Sequence, residues 1–513
     1  DTDYTVVSTT NSLNFSESGW WGRILPAMRT QLLLILFLLA FTVALQASER
    51  LNVVMIEVDD LNYKCLGYMG HPVAKTPHLD KLAAQGTVFK NCIVQGTACA
   101  PSRNSLITGS YPHNTGIYEN QSKAWLSDKP WTFPGALQRA GVYTSFFGKN
   151  HFRASGIDPR AHYRKKNQQI GDQLGFTHTF STGGKVAVSA KLHPAEKDPY
   201  SEYLTGKGIY QKLVDAYANK RGQMIDFPLE EEDYLDAFII NSSLDWLKSF
   251  QMTEKSKPFF LWIDLTLPHP PMDAPEKYFE IYKDAKLPPT IPARKADLPA
   301  SLTDEMREKD TEEYRRGYLA MISMLDAQVG KVTRFLDRSG LREKTIVIFF
   351  SDHGSMIGNH GLMAKKYFYK DVINSPLIIS HPEFGCGKVI NRCVELLDLS
   401  KTMLSQYGCK KDDLAHSQGE DLIPLLSGEG SYQRRFAQAE QRGVNMIQNV
   451  SYKLISYPDG EILYDLNKDP DELTNVIEDH PQIARNLRRK KAEWLANSGE
   501  IKPADRKPGR KSR

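Results

Sequence analysis

Short apolar segments that end at polar residues are the feature that most constrains the fold. The segment LNVVMIEV stops at Asp59 and Asp60, and the later segment TIVIFFS stops at Asp352 and His353. Apolar, β-branched runs of this length are typical of parallel strands that are buried on both faces. If both strands belong to one sheet, their carboxyl ends bring these carboxylates and the imidazole to the same edge.

Helical patterns alternate with the strand-like segments along most of the chain. Helical spacing of apolar residues occurs at 77–86, 132–141 and 312–336, and further strand-like segments occur at 142–148 and 257–265. This alternation predicts an α/β fold, with a mostly parallel sheet flanked by helices on both faces. Ligands of such sheets bind at the carboxyl ends of the strands, so the polar residues found there are the candidates for a functional site.

The C-terminal part of the chain has a different pattern. After residue 425 it contains short alternating strands, VNMIQNV, YKLISY and EILYDL, and then an amphipathic helical pattern near 480–497. This pattern predicts a smaller antiparallel sheet with one helix. The predicted organisation is therefore a large α/β domain at 51–424, a C-terminal antiparallel subdomain at 425–497 and a basic, disordered tail at 498–513.

An apolar run near the N-terminus indicates export. Residues 32–45 are almost entirely apolar and follow Met28 and Arg29. A run of this length is typical of the core of a signal peptide rather than of a membrane span. We expect a signal peptide at 28–47, translation from Met28, and a protein exported to the periplasm, the extracellular space or a lysosome-like compartment. No later segment is apolar for long enough to form an integral membrane span.

The charge distribution argues against a nucleic-acid partner. The chain has 65 Lys and Arg residues and 61 Asp and Glu residues, which gives a net charge of +4. The tail after residue 500 carries this excess, and the segment from 48 to 500 is close to neutral. Proteins that bind nucleic acid usually carry a basic patch or stripe. We therefore expect no nucleic-acid partner, and we assign the tail to solvent.

The six cysteines are too few and too scattered for a disulfide scaffold in a chain of 513 residues. Cys386 and Cys393 could pair in an oxidising compartment, and the CxxC spacing of zinc sites is missing. Cys99 differs from the others because Pro101 and Arg103 follow it at a predicted helix start. A helix N-terminus and a guanidinium both stabilise an anion at such a position. The alternative is a buried cysteine with a structural role.

The acidic residues at the strand ends predict a metal site. Carboxylates held this close together repel one another, and a cation relieves the repulsion. Hard oxygen ligands favour calcium or magnesium over zinc. The alternative is that these are ordinary acids in exposed loops after strands.

The segment CAPSRNSLITG, which begins at Cys99, resembles the signature of the sulfatase family, Cys-x-Pro-Ser-Arg followed after a short gap by Thr-Gly. The resemblance implies the alkaline-phosphatase-like fold and a sulfuric ester hydrolase. It also implies that a formylglycine-generating or radical maturation enzyme oxidises Cys99 to Cα-formylglycine, whose hydrated aldehyde is the nucleophile. Arg103 would be recognised by that enzyme and would afterwards hold the nucleophile in place.

Further motifs extend the resemblance over about residues 51–490, namely VVMIEVDDLN, FFGKNH, LPHPP, FFSDHG, GLMAKKYFY and EILYDLNKDPDE. They imply one calcium ion per chain, groups that bind the sulfate and the leaving oxygen, and a base. The implied calcium ligands are Asp59, Asp60, Cys99 in its modified form, Asp352 and His353; the implied sulfate-binding residues are Lys149, His269 and Lys365; the implied base is His151. Histidine at position 353 departs from the asparagine of many members. Lys365 is preferred to Lys366 because it lies four residues before Tyr369, as in the family.

Several alternatives remain open at this point. The lysines could be ordinary surface residues, and the histidines could be structural. A phosphatase or phosphodiesterase of the same superfamily would share the in-line displacement, although such sites generally hold two zinc ions. A non-catalytic protein that binds sulfated glycans would result if Cys99 is never converted.

The predicted substrate is a sulfated carbohydrate. Export and the aperiodic insertions at 155–235 and 268–303 suit a sugar better than a very small ester. Aromatic residues in or near these insertions, such as Trp125, Tyr163 and Tyr203, agree with this prediction. The segment GIYEN after the signature most resembles the branch of iduronate-2-sulfatases and choline-sulfatases.

Overall fold

The computed structural model describes residues 50–122, 124, 126–127, 129–152, 169, 171–185, 198–218, 224–254, 256–307 and 310–500. The predicted signal peptide at 28–47 lies outside this part of the chain, as do Trp125, Tyr163 and residues 501–513 of the basic tail. Within the described ranges, no helix is both long and apolar enough to span a membrane.

The described residues form twelve β-strands in two sheets. In chain order the strands are β1 (Asn52–Val58), β2 (Thr87–Ile93), β3 (Tyr143–Lys149), β4 (His178–Thr182), β5 (Phe259–Asp264), β6 (Thr345–Ser351), β7 (Asn374–Ser380), β8 (Lys388–Glu395), β9 (Ala437–Gln441), β10 (Val444–Gln448), β11 (Tyr452–Tyr457) and β12 (Gly460–Asp465).

The same residues form helices that range from single turns to 27 residues. They are α1 (Pro77–Ala84), α2 (Cys99–Thr108), α3 (Pro112–Thr115), α4 (Phe133–Arg139), α5 (Pro199–Gly206), α6 (Tyr210–Tyr217), α7 (Leu235–Thr253), α8 (Glu276–Glu280), α9 (Ala300–Thr303), α10 (Glu312–Arg338), α11 (Lys370–Ile373), α12 (Asp398–Gln406), α13 (Lys411–His416), α14 (Ile423–Ser427) and α15 (Pro481–Asn497).

The main sheet confirms the predicted mostly parallel α/β architecture. Its strand order is β4-β3-β5-β1-β6-β7-β2-β8. β1 pairs in parallel with β5 and β6, β3 pairs in parallel with β4 and β5, and β2 pairs in parallel with β8. β7 runs antiparallel to both of its neighbours, β6 and β2. The carboxyl ends of β1, β3, β5 and β6 therefore lie at one edge of the sheet.

The core lies on both faces of this sheet because successive strand residues point to opposite sides. In β1, Val53 and Met55 belong to one hydrophobic cluster, whereas Val54 and Ile56 belong to another. Helices α2, α4 and α12 contribute to the first cluster, and helices α1, α7 and α10 contribute to the second. Burial on both faces explains why the central strands are continuous apolar runs.

The smaller sheet has four antiparallel strands in the order β12-β11-β10-β9. One face, with Ile447 and Leu454, packs on Leu487 of α15. The opposite face, with Met446 and Ile455, joins a core cluster of the main sheet. The predicted antiparallel sheet and helix are therefore confirmed, with β9 as an additional strand. Both sheets lie in one compact unit, and the boundary between residues 424 and 425 stays a prediction.

The insertion predicted at 155–235 contributes to the main sheet as well as to its surroundings. β4 lies within it and adds an edge strand in parallel with β3. Tyr203 of α5 stacks on Phe238 at 4.8 Å between ring centroids and donates a hydrogen bond to Asp233 at 2.6 Å. This tyrosine is thus engaged in packing the insertion against α7.

All six cysteines lie among the described residues and are free thiols. Cys386 is exposed and Cys393 is buried in β8, and the disulfide considered from the sequence is not formed. Cys99 is buried and is the first residue of α2. The helix therefore begins at this cysteine rather than immediately after it.

Gly148 in β3 allows a close approach of two strands just before Lys149. Its φ of +115° disfavours any residue with a side chain, and a Cβ added there would lie 1.9 Å from the carbonyl oxygen of Asp264 in β5. The glycine therefore sets the spacing between β3, which carries Lys149, and β5, which leads into the loop that carries His269.

We expect Gly148→Ala to destabilise the protein by about 2–4 kcal/mol, because the new methyl group must displace the backbone of β5. Gly141→Ala is the matched control, since Gly141 has a φ of +85° but no heavy atom within 4 Å of the added Cβ; we expect it to cost about 1 kcal/mol. The two apparent melting temperatures measure the difference. Equal losses would show that the close approach does not matter.

Candidate active site

The predicted site residues come from separate strands and meet at the carboxyl edge of the main sheet. Asp59 and Asp60 directly follow β1, and Asp352 and His353 directly follow β6. Because β1 and β6 are paired neighbours, the two acidic turns lie side by side. Cys99, at the start of α2, faces both of them.

The Cys99 thiol lies at the centre of this group and is 1% exposed. Its Sγ lies 3.0 Å from Lys365 Nζ, 3.3 Å from His353 Nε2, 3.3 Å from Asp59 Oδ1 and 3.9 Å from Lys149 Nζ. Burial and Asp59 oppose ionisation of the thiol. The cationic neighbours outweigh them and lower its pKa to about 5. The site therefore stabilises negative charge at this position.

Two lysines reach the thiol from different elements. Lys365 Nζ donates to Asp60 Oδ2 at 2.9 Å, whereas Lys366 is exposed and has a φ of +82°. Lys149, the last residue of β3, pairs closely with Asp59. Burial disfavours both ammonium groups, but the neighbouring carboxylates, Asp59 for Lys149 and Asp60 for Lys365, raise the pKa of each lysine. Both lysines are therefore held as cations beside Cys99.

The aspartates are crowded, and their backbone is strained. Asp60 has a φ of +69°, a conformation that side chains other than glycine rarely adopt. Its backbone N–H donates to Asp352 Oδ1 at 3.2 Å. Burial raises the pKa of Asp352 to about 7, and the nearby Asp59 carboxylate adds to this effect. The crowding disfavours ionisation of all these carboxylates together, so additional positive charge would stabilise them.

The donor set fits a hard divalent cation. Asp60 Oδ1 is buried and makes no well-aligned hydrogen bond, although His353 Nδ1 lies 3.1 Å from it. Three of the six possible ligand residues are carboxylates, whose hard oxygen atoms favour calcium or magnesium over zinc. The possible ligand atoms lie within 4.8 Å of one another in two overlapping groups: Asp59, Cys99, Asp352 and His353; and Asp59, Asp60 and His269.

Arg103 lies beneath this group and is fully buried. Its Nε donates to Asp352 Oδ2 at 2.9 Å. Its Nη1 pairs closely with Asp264 and lies 3.3 Å from Glu57 Oε2. Trp262 Nε1 donates to the same Glu57 oxygen at 3.0 Å. Arg103 therefore orients Asp352, and the contact with the nucleophile expected from the resemblance stays a prediction.

Two of these acidic residues were not predicted from the sequence. Glu57 and Asp264 lie inside β1 and β5, and both are fully buried. Burial raises the pKa of Glu57 to about 7 and also raises the pKa of Asp264, although Arg103 opposes both shifts. The available signal was a charged residue within an otherwise apolar strand, since a buried charge requires a partner.

The loop after β5 carries His269 to the same edge. Its Nδ1 lies 2.7 Å from the Pro270 carbonyl oxygen, and its Nε2 lies 3.6 Å from Asp60 Oδ2. Burial lowers the pKa of His269 to about 4. Lys185, which the sequence did not single out, donates to the Pro271 carbonyl at 3.1 Å and so supports this loop.

His151 follows β3 and lies close to the cationic side of the site. Burial lowers its pKa well below the usual value, and Lys149 and Arg103 add to the shift. Its Nδ1 is buried and has no hydrogen-bond partner among the described residues. The imidazole is therefore neutral and can accept a proton.

Comparison with known proteins agrees with this arrangement. A family model described as "Sulfatase" matches residues 51–409, and one described as "N-sulphoglucosamine sulphohydrolase, C-terminal" matches residues 358–496. An arylsulfatase of Clostridium perfringens is 27% identical over 457 residues, which cover 83% of this chain and 90% of that protein. A choline-sulfatase of Rhizobium meliloti is 28% identical over 450 residues, which cover 83% of this chain and 82% of that protein.

Solved structures share the fold. A phosphonate monoester hydrolase of Agrobacterium radiobacter has a TM-score of 0.74 at 23% identity and covers 90% of this chain and 100% of its own. A protein in complex with its substrate, D-glucosamine-2-N,6-O-disulfate, has a TM-score of 0.67 at 19% identity and covers 89% of this chain and 100% of its own. The family match spans most of the sequence and includes every residue of the site. The chain therefore belongs to the sulfatase family, whose members are sulfuric ester hydrolases.

Proposed function

We propose that the protein removes sulfate from a sulfated carbohydrate, with Cα-formylglycine at position 99 as the nucleophile and one bound calcium ion. The observation that carries the proposal is the environment of Cys99 Sγ, which has Lys365 Nζ at 3.0 Å and Asp59 Oδ1 at 3.3 Å. A cation on one side and a metal-binding carboxylate on the other are what a nucleophile directed at a sulfate ester requires.

Two groups would complete the site. Formylglycine supplies an aldehyde hydrate, with one hydroxyl to attack sulfur and a second whose deprotonation releases sulfate. Calcium supplies positive charge that withdraws electron density from the sulfate oxygens. Asp59, Asp60, Asp352 and the oxygen at position 99 would hold the ion, with His353 beside them.

Lys149 and Lys365 would bind the oxygens of the sulfate group. Each ammonium is fixed by an aspartate and lies within 3.9 Å of the sulfur at position 99. Because both are shielded from water, their attraction for an anionic transition state is stronger than it would be at the surface. They bind without having to reorganise during the reaction.

Lys365 or His269 would give a proton to the leaving alcohol. His269 faces the same space from the loop after β5, but its pKa of about 4 leaves it neutral near pH 7. Lys365 retains its proton under the same conditions, because Asp60 and Asp59 raise its pKa. His151, which is neutral and has an unpartnered Nδ1 within the described part of the chain, would accept the proton whose removal releases sulfate.

The nature of the relatives supports a sugar substrate. One fold relative was solved with D-glucosamine-2-N,6-O-disulfate as its substrate, and another is described as a 2-O glycosaminoglycan sulfatase. The C-terminal family match takes its name from N-sulphoglucosamine sulphohydrolase. The predicted export stays part of this proposal, since an exported enzyme would meet polymeric sulfated glycans.

Hydrolysis of a phosphonate or phosphate ester is the second candidate. The fold likeness to the phosphonate monoester hydrolase favours it, because both ester classes present tetrahedral anions to an in-line nucleophile. Parallel assays with 4-nitrophenyl sulfate and 4-nitrophenyl phenylphosphonate separate the two functions. A higher kcat/KM for the sulfate ester is expected, and the reverse order would overturn the proposed function.

The tryptic peptide that spans residues 91–103 tests the nucleophile. We expect the protein from its native host to contain this peptide about 18 Da lighter than the dithiol form, because oxidation replaces CH₂–SH by CHO. Cys92 lies in the same peptide and is the internal control, since it should still take one alkyl group after denaturation. A peptide in which both cysteines are alkylated would favour a non-catalytic protein that binds sulfated glycans. Cys99→Ala should abolish turnover, and retained activity would refute the assignment.

Removal of metal should inactivate the enzyme and destabilise it. After chelation, calcium at 100 times its Kd should stabilise the folded state by about 2.7 kcal/mol, which a rise in melting temperature reports. Asp352→Asn should abolish this rise, because it removes one carboxylate charge from the cluster. Asp326→Asn is the control, since Asp326 is a buried carboxylate that accepts hydrogen bonds at the start of α1. An unchanged melting temperature of the wild type would contradict the calcium assignment.

Arg103→Lys should weaken calcium binding by about 10–100-fold, because one ammonium cannot orient three carboxylates as the guanidinium does. Calcium affinity is measured by titration of the melting temperature, and turnover is divided by the formylglycine content of each preparation. Arg434→Lys is the control: Arg434 also pairs with two buried carboxylates, Glu395 and Asp398, through a side chain that is 8% exposed, but it lies outside the site. It should lower stability and leave calcium affinity unchanged. Equal calcium affinities for Arg103→Lys and the wild type would contradict the role given to Arg103.

A further inference from the structure

A groove lies between the C-terminal parts of α7 and α10, outside the site described above. Its volume is about 820 Å³, which is within the range of small-molecule and oligosaccharide pockets. Leu244 and Phe335 line it as half-buried apolar side chains, and Met252 is 81% exposed at its border. An exposed apolar surface of this kind provides contact area for the faces of sugar rings.

Four cationic side chains line the same groove: Lys248 from α7 and Lys331, Arg334 and Arg338 from α10. Within the described part of the chain, none of them lies within 4.0 Å of a carboxylate oxygen. Arg334 instead contacts His78 Nε2 at 3.2 Å, which requires a neutral imidazole. Nearby acids are engaged elsewhere, since Asp337 lies 3.9 Å from Arg342. Glu231 and Glu232 act on Lys331 only from a distance, and they pair with Lys277 and Lys207. The groove cations therefore have no close carboxylate partner among the described residues.

Basic residues elsewhere on the surface differ in this respect. On α15, Arg488 pairs with Glu461, and both Arg489 and Lys490 pair with Glu493. The cations on this exposed helix are therefore paired with nearby carboxylates. The groove between α7 and α10 is distinguished by the lack of such partners rather than by the number of its cations.

The spacing of the cations indicates a ligand with several anionic groups. Lys331 and Arg338 are separated by seven residues of α10, or about 10 Å along the helix axis. One inorganic sulfate cannot contact both ends of this row. A chain of sugars that carries sulfate groups on successive residues can do so, and its ring faces can cover Phe335 and Leu244.

The groove lies far from the candidate active site at the carboxyl edge of the main sheet. Tyr318, near the start of α10, donates a hydrogen bond to the Asp60 carbonyl oxygen, whereas Arg338 ends the helix ahead of the amino end of β6. Tyr318 and Arg334 are 16 residues apart on one helix, or about 24 Å. A ligand in the groove therefore does not occupy the space around Cys99.

We propose that this groove is a second, non-catalytic binding site for a sulfated oligosaccharide segment of the polymer on which the enzyme acts. The choice of ligand rests on the proposed function, which makes sulfated glycans the anions that the protein meets. Charge complementarity supplies the attraction, and the concave shape with an apolar floor favours a sugar chain over a flat anionic membrane. The near-neutral body of the chain disfavours nucleic acid as the occupant.

The test compares two double variants with the same change in net charge. Arg334→Gln with Arg338→Gln removes two groove cations, and Arg485→Gln with Arg489→Gln removes two exposed cations from α15. Both are made in the full chain with Cys99→Ala, so that the ligand is not consumed. Calorimetric titration uses a defined sulfated hexasaccharide, its unsulfated counterpart, vesicles of anionic phospholipid and a DNA duplex. Melting temperatures verify that both variants are folded.

In the Cys99→Ala chain without surface substitutions, we expect two hexasaccharide molecules to bind per chain. In the groove variant we expect only one to bind, or the second to bind with a Kd at least about 10-fold weaker. The α15 variant should stay within about 2-fold of its parent. Equal binding by the two variants would overturn the site, as would equal affinity for the unsulfated hexasaccharide. Tighter groove-dependent binding of vesicles or DNA would overturn the ligand assignment.

A kinetic comparison separates this inference from the proposed function. With Cys99 intact, the groove variant should hydrolyse 4-nitrophenyl sulfate at the wild-type rate, and a loss of that activity would overturn the non-catalytic assignment. If the enzyme released no sulfate from any sulfated sugar, the proposed function would fail. The groove would then still be judged by the binding titration, which does not depend on turnover.

Discussion

The concentration of negative charge at the carboxyl edge of the main sheet is the constraint on which the rest of the site depends. Each ion carried into a protein interior costs several kcal/mol unless it is compensated, and carboxylates that share a site resist joint ionisation. Five carboxylates share the site with three cationic side chains. Burial and crowding raise the pKa of three of these acids, and a divalent cation would favour their ionisation. The carboxylates are Glu57, Asp59, Asp60, Asp264 and Asp352, and the cations are Arg103, Lys149 and Lys365.

This charge arrangement also explains why one arginine is buried so deeply. Arg103 contacts three carboxylates at once, and only one of them, Asp352, belongs to the candidate metal-binding cluster. Glu57 and Asp264 fix the guanidinium from below, so the direction of Asp352 is set before any ligand arrives. A site prepared in this way does not need to reorganise when charge develops on the substrate.

Much of the fold could be predicted because the central strands are buried on both faces and are therefore continuous apolar runs. β4, with the sequence HTFST, and β9, with the sequence AQAEQ, were missed because both are short and largely polar. The residues at strand ends were found for a physical reason, since polar groups after a buried strand must face an edge. Glu57 and Asp264 were missed because their partner, Arg103, lies on a helix that is distant in sequence, and pairing across such distances leaves no local pattern.

The two ends of α10 show how one element can serve opposite edges of the sheet. Near its start, Tyr318 donates a hydrogen bond to the backbone of Asp60, where each lysine of the site pairs with an aspartate. Near its end, Arg334 and Arg338 have no carboxylate partner among the described residues. A glycan held in the groove between α7 and α10 cannot align an ester about 24 Å away by direct contact. Its effect must instead come from a higher local concentration of substrate, which acts on KM for polymers and leaves kcat for small esters unchanged.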